Sequence, residues 1–99
     1  MIRGTTPKLE FTIPFGTDLI KEVYVTFAQG ANVILEKQLA DCVCEGERLV
    51  LKLSQADTLA FMHGQLVDVQ LRVKTVNGEA LASDIIRTTA ERILKDGEI

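Results

Sequence analysis

The arrangement of apolar and polar positions is most regular between Gln65 and Leu81. Apolar side chains occupy every second position of this stretch, at Val67, Val69, Leu71 and Val73. Strict period-two alternation puts one face of an extended chain in a core and the other in water, so it predicts a strand. The dipeptide Asn77-Gly78 follows, and it is typical of a type I′ hairpin turn. The pattern therefore predicts an antiparallel β protein.

Similar alternation recurs elsewhere along the chain. It predicts strands over residues 8–13, 22–29, 33–39 and 48–53. Residues 41–44 fit either a short edge strand or an irregular link. Ser54 and Asp57 form a helix-start pattern, and Gly64 is a suitable residue to end a helix. One or two helical turns are therefore expected over residues 55–62.

The stretch after the Asn77-Gly78 turn fits two structures. Its apolar and β-branched side chains make one face of a helix over residues 82–94, with Ser83 as the cap. A hairpin turn, however, requires a return strand, and the pairs Ile85-Ile86 and Thr88-Thr89 favour a strand. We predict a long strand, bulged or regular, over residues 79–94, with the helix as the alternative.

Regularly spaced strands with turn signals between them predict an all-β fold. The expected architecture is an immunoglobulin-like Greek-key β-sandwich of six or seven strands with one short crossover helix. The chain has no tryptophan, so any likeness to antibody domains concerns architecture alone. Its 99 residues fit a single domain over 1–99. The flanking residues 1–6 and 95–99 are expected to be mobile in a lone monomer.

Composition and charge exclude several classes of partner. The chain has 11 basic and 14 acidic residues and a formal charge of −3. Nucleic acid is not expected as a partner, because nucleic-acid-binding surfaces cluster Lys and Arg. No apolar run approaches the roughly 20 residues of a membrane span, and no signal peptide is indicated, so no membrane partner is expected. Cys42 and Cys44 are too close in sequence for a stabilising bridge, which predicts reduced thiols.

No constellation of residues predicts catalysis. His63 is the only histidine, and it has no assignable nucleophile or orienting partner. Cys42 and Cys44 would place both sulfurs on one side of a strand, but a zinc site normally needs four ligands. Glu45 and Glu47 flank a turn glycine and are expected to be solvated. We therefore expect no enzyme activity, no metal and no cofactor.

The first strand has two features that bear on subunit contacts. Pro7 and Pro14 bracket it, and Lys8 and Glu10 line its polar side. Ordinary protection of a sheet edge is one interpretation. The other is that residues 1–7 form an arm that docks on a neighbouring subunit by strand addition. The interaction residues predicted in this arm are Arg3, Gly4, Thr5, Thr6 and Pro7.

Several stretches resemble small proteins encoded in prophages of Gram-positive bacteria. They are residues 1–7, 11–14, 53–61, 69–73 and 82–85, in order along the chain. The resemblance implies a small all-β module similar to the N-terminal sandwich domains of phage baseplate and tail proteins. It carries over no catalytic residue.

The resemblance implies a noncatalytic structural or assembly protein of a phage tail, baseplate or neck. Its expected partners are other phage structural proteins and further copies of itself, in a symmetric homo-oligomer. Its expected location is the virion, assembled in the cytoplasm of the bacterial host. Besides the arm, we predict contacts in the C-terminal residues 92–99, with Arg92 and Leu94 taking part. The alternative is a small cytosolic binding or regulatory module that recognises a host or phage protein through a sandwich edge.

Overall fold

The computed structural model of the protein describes residues 1–99, in eight strands and one short helix. The strands are β1 (Lys8–Thr12), β2 (Ile20–Gln29), β3 (Asn32–Gln38), β4 (Cys42–Glu45), β5 (Arg48–Lys52), β6 (Leu66–Thr75), β7 (Ala80–Ala82) and β8 (Ile86–Thr89). The helix α1 covers Gln55–Leu59. No helix combines the length and hydropathy needed to cross a bilayer. The prediction of an all-β protein with a short helix is confirmed.

The strands form two antiparallel sheets. The smaller sheet has the order β1-β5-β4, and the larger has the order β3-β2-β6, with β7 and β8 both pairing with the free side of β6. Fifteen buried apolar residues form the core, and the alternating positions of β2, β5 and β6 supply most of them. The β-sandwich prediction is therefore confirmed.

The eighth strand arises because the long C-terminal strand is interrupted. Val73 pairs with Leu81 and Val69 pairs with Ile86, so the five residues 69–73 of β6 lie opposite the six residues 81–86. This extra residue is a bulge. At the bulge, Ser83 bonds to Leu71 of β6 in two ways. The Ser83 N–H donates to the Leu71 carbonyl at 2.9 Å, and the Ser83 hydroxyl oxygen accepts from the Leu71 N–H at 3.0 Å.

The two alternatives for residues 79–94 have different outcomes. The helix over 82–94 is wrong, because the segment pairs with β6 as far as Thr89. The strand is correct for most of its length, but its predicted extension to residue 94 is wrong. Beyond Thr89 the ladder with β6 ends, because that strand begins at Leu66. Ala90 still bonds to Gln65 and Gly64, and Glu91 bonds to Met1 instead. Residues 92–99 contain neither helix nor strand.

The β6–β7 hairpin is confirmed, but its turn type is not. A type I′ turn needs a positive φ at both central residues. Gly78 has a φ of 86°, whereas no residue other than glycine has a positive φ. The Gly78 N–H instead donates to the Thr75 carbonyl at 3.0 Å, and the Thr75 N–H donates to Glu79 at 2.8 Å. The loop is thus one residue longer than the predicted turn.

A capping box and an ion pair position α1 across one side of the sandwich. The Ser54 hydroxyl accepts from the Asp57 N–H at 3.1 Å, and the Asp57 carboxylate accepts from the Ser54 N–H at 2.9 Å. The Lys37 ammonium of β3 lies 3.2 Å from the other Asp57 oxygen. Burial alone would raise the pKa of the Asp57 carboxyl, but the hydrogen bonds from Ser54 and Lys37 outweigh it and lower the pKa.

This arrangement predicts a stability that depends on the ionised Asp57. A lowered folded-state pKa means that the contribution is complete above the unfolded-state pKa of about 4 and is lost as the pH falls through the folded-state value. We expect Asp57→Asn to cost about 1 kcal/mol of unfolding free energy at neutral pH. Urea denaturation should show that the gap to the wild type closes below about pH 4. A gap independent of pH would contradict the role of the carboxylate.

Candidate protein-interaction surface

The N-terminal residues lie against the chain that follows β8. The Arg3 N–H donates to the Glu91 carbonyl at 3.0 Å, and the Glu91 N–H donates to the Met1 carbonyl at 2.8 Å. Ile2 and Glu91 thereby form an isolated parallel bridge. The Met1 nitrogen also lies 2.9 Å from the Thr89 carbonyl oxygen. The two segments predicted to make contacts, residues 1–7 and 92–99, are therefore neighbours at one end of the sandwich.

We call this end the terminal surface, defined as residues 1–7, 59–66 and 88–99. Its parts fit closely at Gly4, whose φ of 76° favours glycine. A Cβ atom at that position would lie 2.9 Å from the Ile93 Cδ1 atom and 3.5 Å from the Leu59 Cδ2 atom. Glycine therefore suits this position, since a side chain there would be strained at the positive φ and would displace the end of the Ile93 side chain.

Arg3 ties the same two segments together. Its Nη2 group donates to the Leu59 carbonyl at 2.9 Å, and its Nη1 group lies 3.8 Å from the Asp96 carboxylate. Its Nε atom is buried without a hydrogen-bond partner. Most of the side chain is covered, with 19% exposed. Arg3 thus orients the C-terminal residues, and its charge is directed inward.

The remaining residues of the predicted arm divide between internal and exposed positions. The Thr58 hydroxyl donates to the Thr5 carbonyl at 2.9 Å, and the Leu53 N–H donates to the Pro7 carbonyl at 3.0 Å. The side chains of Thr5 and Thr6 are exposed. The backbone bonds of the arm therefore go to its own chain, and docking on a neighbouring subunit stays a prediction.

The ends of the chain were expected to be mobile, and the structure shows what holds them. Residues 1–5 are bonded to α1 and to the β8 end as described. At the other terminus, Gln55 forms two bonds with Ile99: its Nε2 donates to the Ile99 carbonyl at 3.0 Å, and its Oε1 accepts from the Ile99 N–H at 2.8 Å. Mobility in solution stays a prediction.

The terminal surface presents apolar side chains to solvent. Ile2, Met62, Leu66 and Leu94 are all exposed, and Leu94 retains 93% of its accessible area. Arg92 is exposed beside them. Clusters of exposed large apolar side chains are typical of contact surfaces, whereas isolated ones are common everywhere. Of the residues predicted to make contacts, Thr6, Arg92 and Leu94 are the most available.

Sequence reasoning missed Gln29, which fixes the loop after α1 in the terminal surface. The side chain of Gln29, at the end of β2, donates to the Met62 carbonyl and accepts from the Met62 N–H, both at 2.9 Å. Gln29 is 4% exposed. The available signal was its position in the alternation of β2, where a polar residue occupies an inward site. His63 follows Met62 and is exposed.

The cysteines lie away from the terminal surface, on β4. Cys42 pairs with Leu51 and Cys44 with Leu49, so both sulfurs lie on one side of the strand, as predicted; Cys42 is partly buried and Cys44 is exposed. Both thiols are free. Burial raises the pKa of the Cys42 thiol, with further contributions from Asp41 and Cys44. No group of three metal-binding side chains is clustered in the structure.

The outer face of the smaller sheet carries charges in contact. Arg48 lies 3.3 Å from the Glu45 carboxylate and 3.7 Å from the Glu10 carboxylate. Arg72, on the larger sheet, is exposed and forms no ion pair within the chain. These groups are half-exposed, so their contribution to stability is small.

The fold and the terminal surface define a β-sandwich with apolar side chains exposed at one end. No protein-family model, curated protein or solved structure matches the chain.

Proposed function

We propose that the protein is a noncatalytic structural or assembly component of a phage particle, in the tail, baseplate or neck. It acts through contacts with other phage structural proteins, in the virion and during assembly in the host cytoplasm. The observation that carries the proposal is the terminal surface, which includes the exposed side chains of Ile2, Met62 and Leu94. The sequence resemblance to prophage proteins supplies the biological setting.

We also propose that the sandwich is immunoglobulin-like, and the strand order supports this. Consecutive strands form the hairpins β2–β3, β4–β5 and β6–β7, while β1–β2, β3–β4 and β5–β6 cross between the sheets. In immunoglobulin domains, strands B, E and D share one sheet while C, F and G share the other. The order β1-β5-β4 then corresponds to B-E-D, and β3-β2-β6-β7 corresponds to C′-C-F-G, where C′ is the strand that variable-type domains add. Strand A, which would precede β1, has no counterpart.

A second candidate function is favoured by the open sheet edges. The outer sides of β1, β3 and β4 have no strand partner. Such edges bind extended segments of other proteins by strand addition. A small cytosolic binding or regulatory module that recognises a host or phage protein would use one of these edges and would not be retained in particles.

Mass spectrometry of purified phage particles tests the proposal. After induction of the strain that encodes the protein, we expect its peptides at levels stoichiometric with known virion proteins. Peptides confined to the soluble lysate would contradict the structural role and support the second candidate. Abundant cytoplasmic proteins in the same preparation serve as the control for contamination.

A variant of the terminal surface sharpens the test. Leu94→Asp is expected to reduce recovery in particles by about tenfold, because a carboxylate would have to be desolvated at the contact. The matched control is Val76→Asp, which changes an exposed apolar residue at the opposite end of β6 and should leave recovery unchanged. Equal recovery of the two variants would exclude the terminal surface as the contact.

A further inference from the structure

Strand β1 differs from the other open edges of the sandwich in being both regular and long enough to pair. Strand β3 is bulged where Phe27 and Ala28 pair with it, the β7–β8 edge is bulged beside Ser83, and β4 has only four residues. Bulges and short strands are the usual means of keeping an edge from pairing. The pairing of β1 with β5 continues without a shift over five residues.

The pairing with β5 determines which backbone groups of β1 point outward. The Ile13 N–H donates to the Glu47 carbonyl at 2.9 Å, and the Pro7 carbonyl accepts from the Leu53 N–H at 3.0 Å. Hydrogen-bonding direction alternates along an antiparallel strand. The odd-numbered residues therefore bond to β5, and the N–H and C=O groups of Lys8, Glu10 and Thr12 face the open edge. Both flanking prolines leave these donors intact.

The exposed residues of this edge are complementary to themselves. An antiparallel pairing with its two-fold axis at Leu9 places Lys8 of each copy opposite Glu10 of the other. The same register places Thr6 opposite Thr12. Lys8 and Glu10 both have outward backbone groups, so each Lys8–Glu10 pair forms hydrogen bonds. Opposite charges and threonine pairs are favourable cross-strand neighbours. We propose that two copies of the chain associate through β1 in this register, forming a continuous six-stranded sheet.

The charges within one copy favour the same partner. Lys8 pairs directly with Lys52 in the β1–β5 ladder, and like charges in that position are unfavourable. Neither lysine forms an ion pair within the chain. Glu10 of a second copy would lie beside Lys8 and relieve this repulsion. The occupant of the edge is therefore a second copy of this chain, since it brings the matching charge to the matching position.

The inference rests on the proposed assembly function, in which copies of the chain associate. It specifies that β1 is the strand through which they associate, and in which register. The interface is an isologous two-fold contact, in which the same residues of both copies meet. Thr6 is the one residue that this interface shares with the terminal surface. A strand of this length gives a small interface, and such interfaces are typical of weak association.

Sedimentation equilibrium of the purified chain and its charge variants tests the inference. The wild type is expected to dimerise in a concentration-dependent way. Lys8→Glu and Glu10→Lys each replace two attractive pairs by two repulsive ones, so each should raise the dissociation constant about tenfold. The double variant K8E/E10K restores both pairs and should dimerise like the wild type. Both residues are exposed, and the half-exposed contact of Glu10 with Arg48 is the one ion pair lost within a copy, so folding is expected to change little; urea denaturation checks this.

A mixture of the two single variants gives the sharpest result. Lys8→Glu carries two acids at these positions and Glu10→Lys carries two lysines, so together they should form a heterodimer although neither forms a strong homodimer. A wild type that stays monomeric over a wide concentration range would overturn the inference. Single variants that dimerise as well as the wild type would also overturn it.

Cross-linking determines the register. Non-hydrogen-bonded antiparallel pairs have Cα atoms about 4.5 Å apart, within the range a disulfide spans. Leu9→Cys, in a background with Cys42 and Cys44 changed to serine, should therefore oxidise to a covalent dimer. Val43→Cys, on the other edge of the same sheet, is the matched control and should stay monomeric. Cross-linking of Val43→Cys alone would place the contact on β4 and overturn the inference.

Self-association and incorporation into particles are separate measurements. A chain that dimerises through β1 but is absent from particles would contradict the phage role and leave the interface established. A chain present in particles whose purified form is monomeric would overturn the β1 interface alone.

Discussion

Replacing Phe61 by alanine is expected to lower the free energy of unfolding by about 3–5 kcal/mol. The ring is 1% exposed and lies 6.0 Å from the ring of Phe27 in a tilted arrangement. Its removal leaves a cavity where the loop after α1 meets the larger sheet, and the surrounding strands cannot close it fully. Domains of this kind have a total stability of about 5–15 kcal/mol, so the variant should be close to unfolding.

Urea denaturation followed by circular dichroism measures this effect. Phe15→Ala is the matched control, because it removes the same ring from a position that is only partly buried. We expect a clearly smaller loss for this control. Equal losses of unfolding free energy in Phe61→Ala and Phe15→Ala would contradict the role given to Phe61 in holding the loop.

Gln29→Met is expected to lower the free energy of unfolding by about 2–4 kcal/mol. Methionine has a similar length, but it supplies neither a donor for the Met62 carbonyl nor an acceptor for the Met62 N–H. Each half-buried group left without a partner carries its own desolvation cost. The effect should also be local, since these two bonds fix the loop beneath the terminal surface.

Hydrogen exchange distinguishes this local effect from general destabilisation. The Met62 amide should exchange faster in Gln29→Met, while amides in the centre of β6 should change only as far as global stability falls. Gln70→Met is the control, because Gln70 donates a single side-chain bond, to the Ser83 carbonyl at 3.1 Å, from the outer face. Unchanged exchange at Met62 would contradict the role given to Gln29.

The strands were predictable where burial alone decides the structure. In β6, Val67 to Val73 alternate because one face packs into the core, and this pattern is visible in the sequence. The turn after it was predicted less well, since Asn77-Gly78 signals a hairpin but does not determine the loop length. The bulge at Ser83 depends on a side-chain hydroxyl replacing a backbone acceptor, which no periodicity reveals.

The terminal surface was predictable only in part. Residues 1–7 show no hydrophobic period, and their partners lie nearly the whole chain away, as the bond from Arg3 to Glu91 shows. Local patterns therefore could not indicate that the two predicted segments meet. Lys37 and Gln29 carried a usable signal, because each is a polar residue at an inward position of its strand. In the structure, Lys37 forms an ion pair with Asp57, and Gln29 is hydrogen-bonded to Met62.

The bridge between Ile2 and Glu91 has a consequence for how the protein folds during synthesis. Ile2 cannot reach Glu91 until all the residues between them have been made. At synthesis rates of about 5–20 residues per second, that delay is roughly 5–20 s. Contacts so distant in sequence also slow folding itself. The native fold is therefore completed only after Glu91 has been made, and until then the segment around Ile2 is open to chaperones or to other copies.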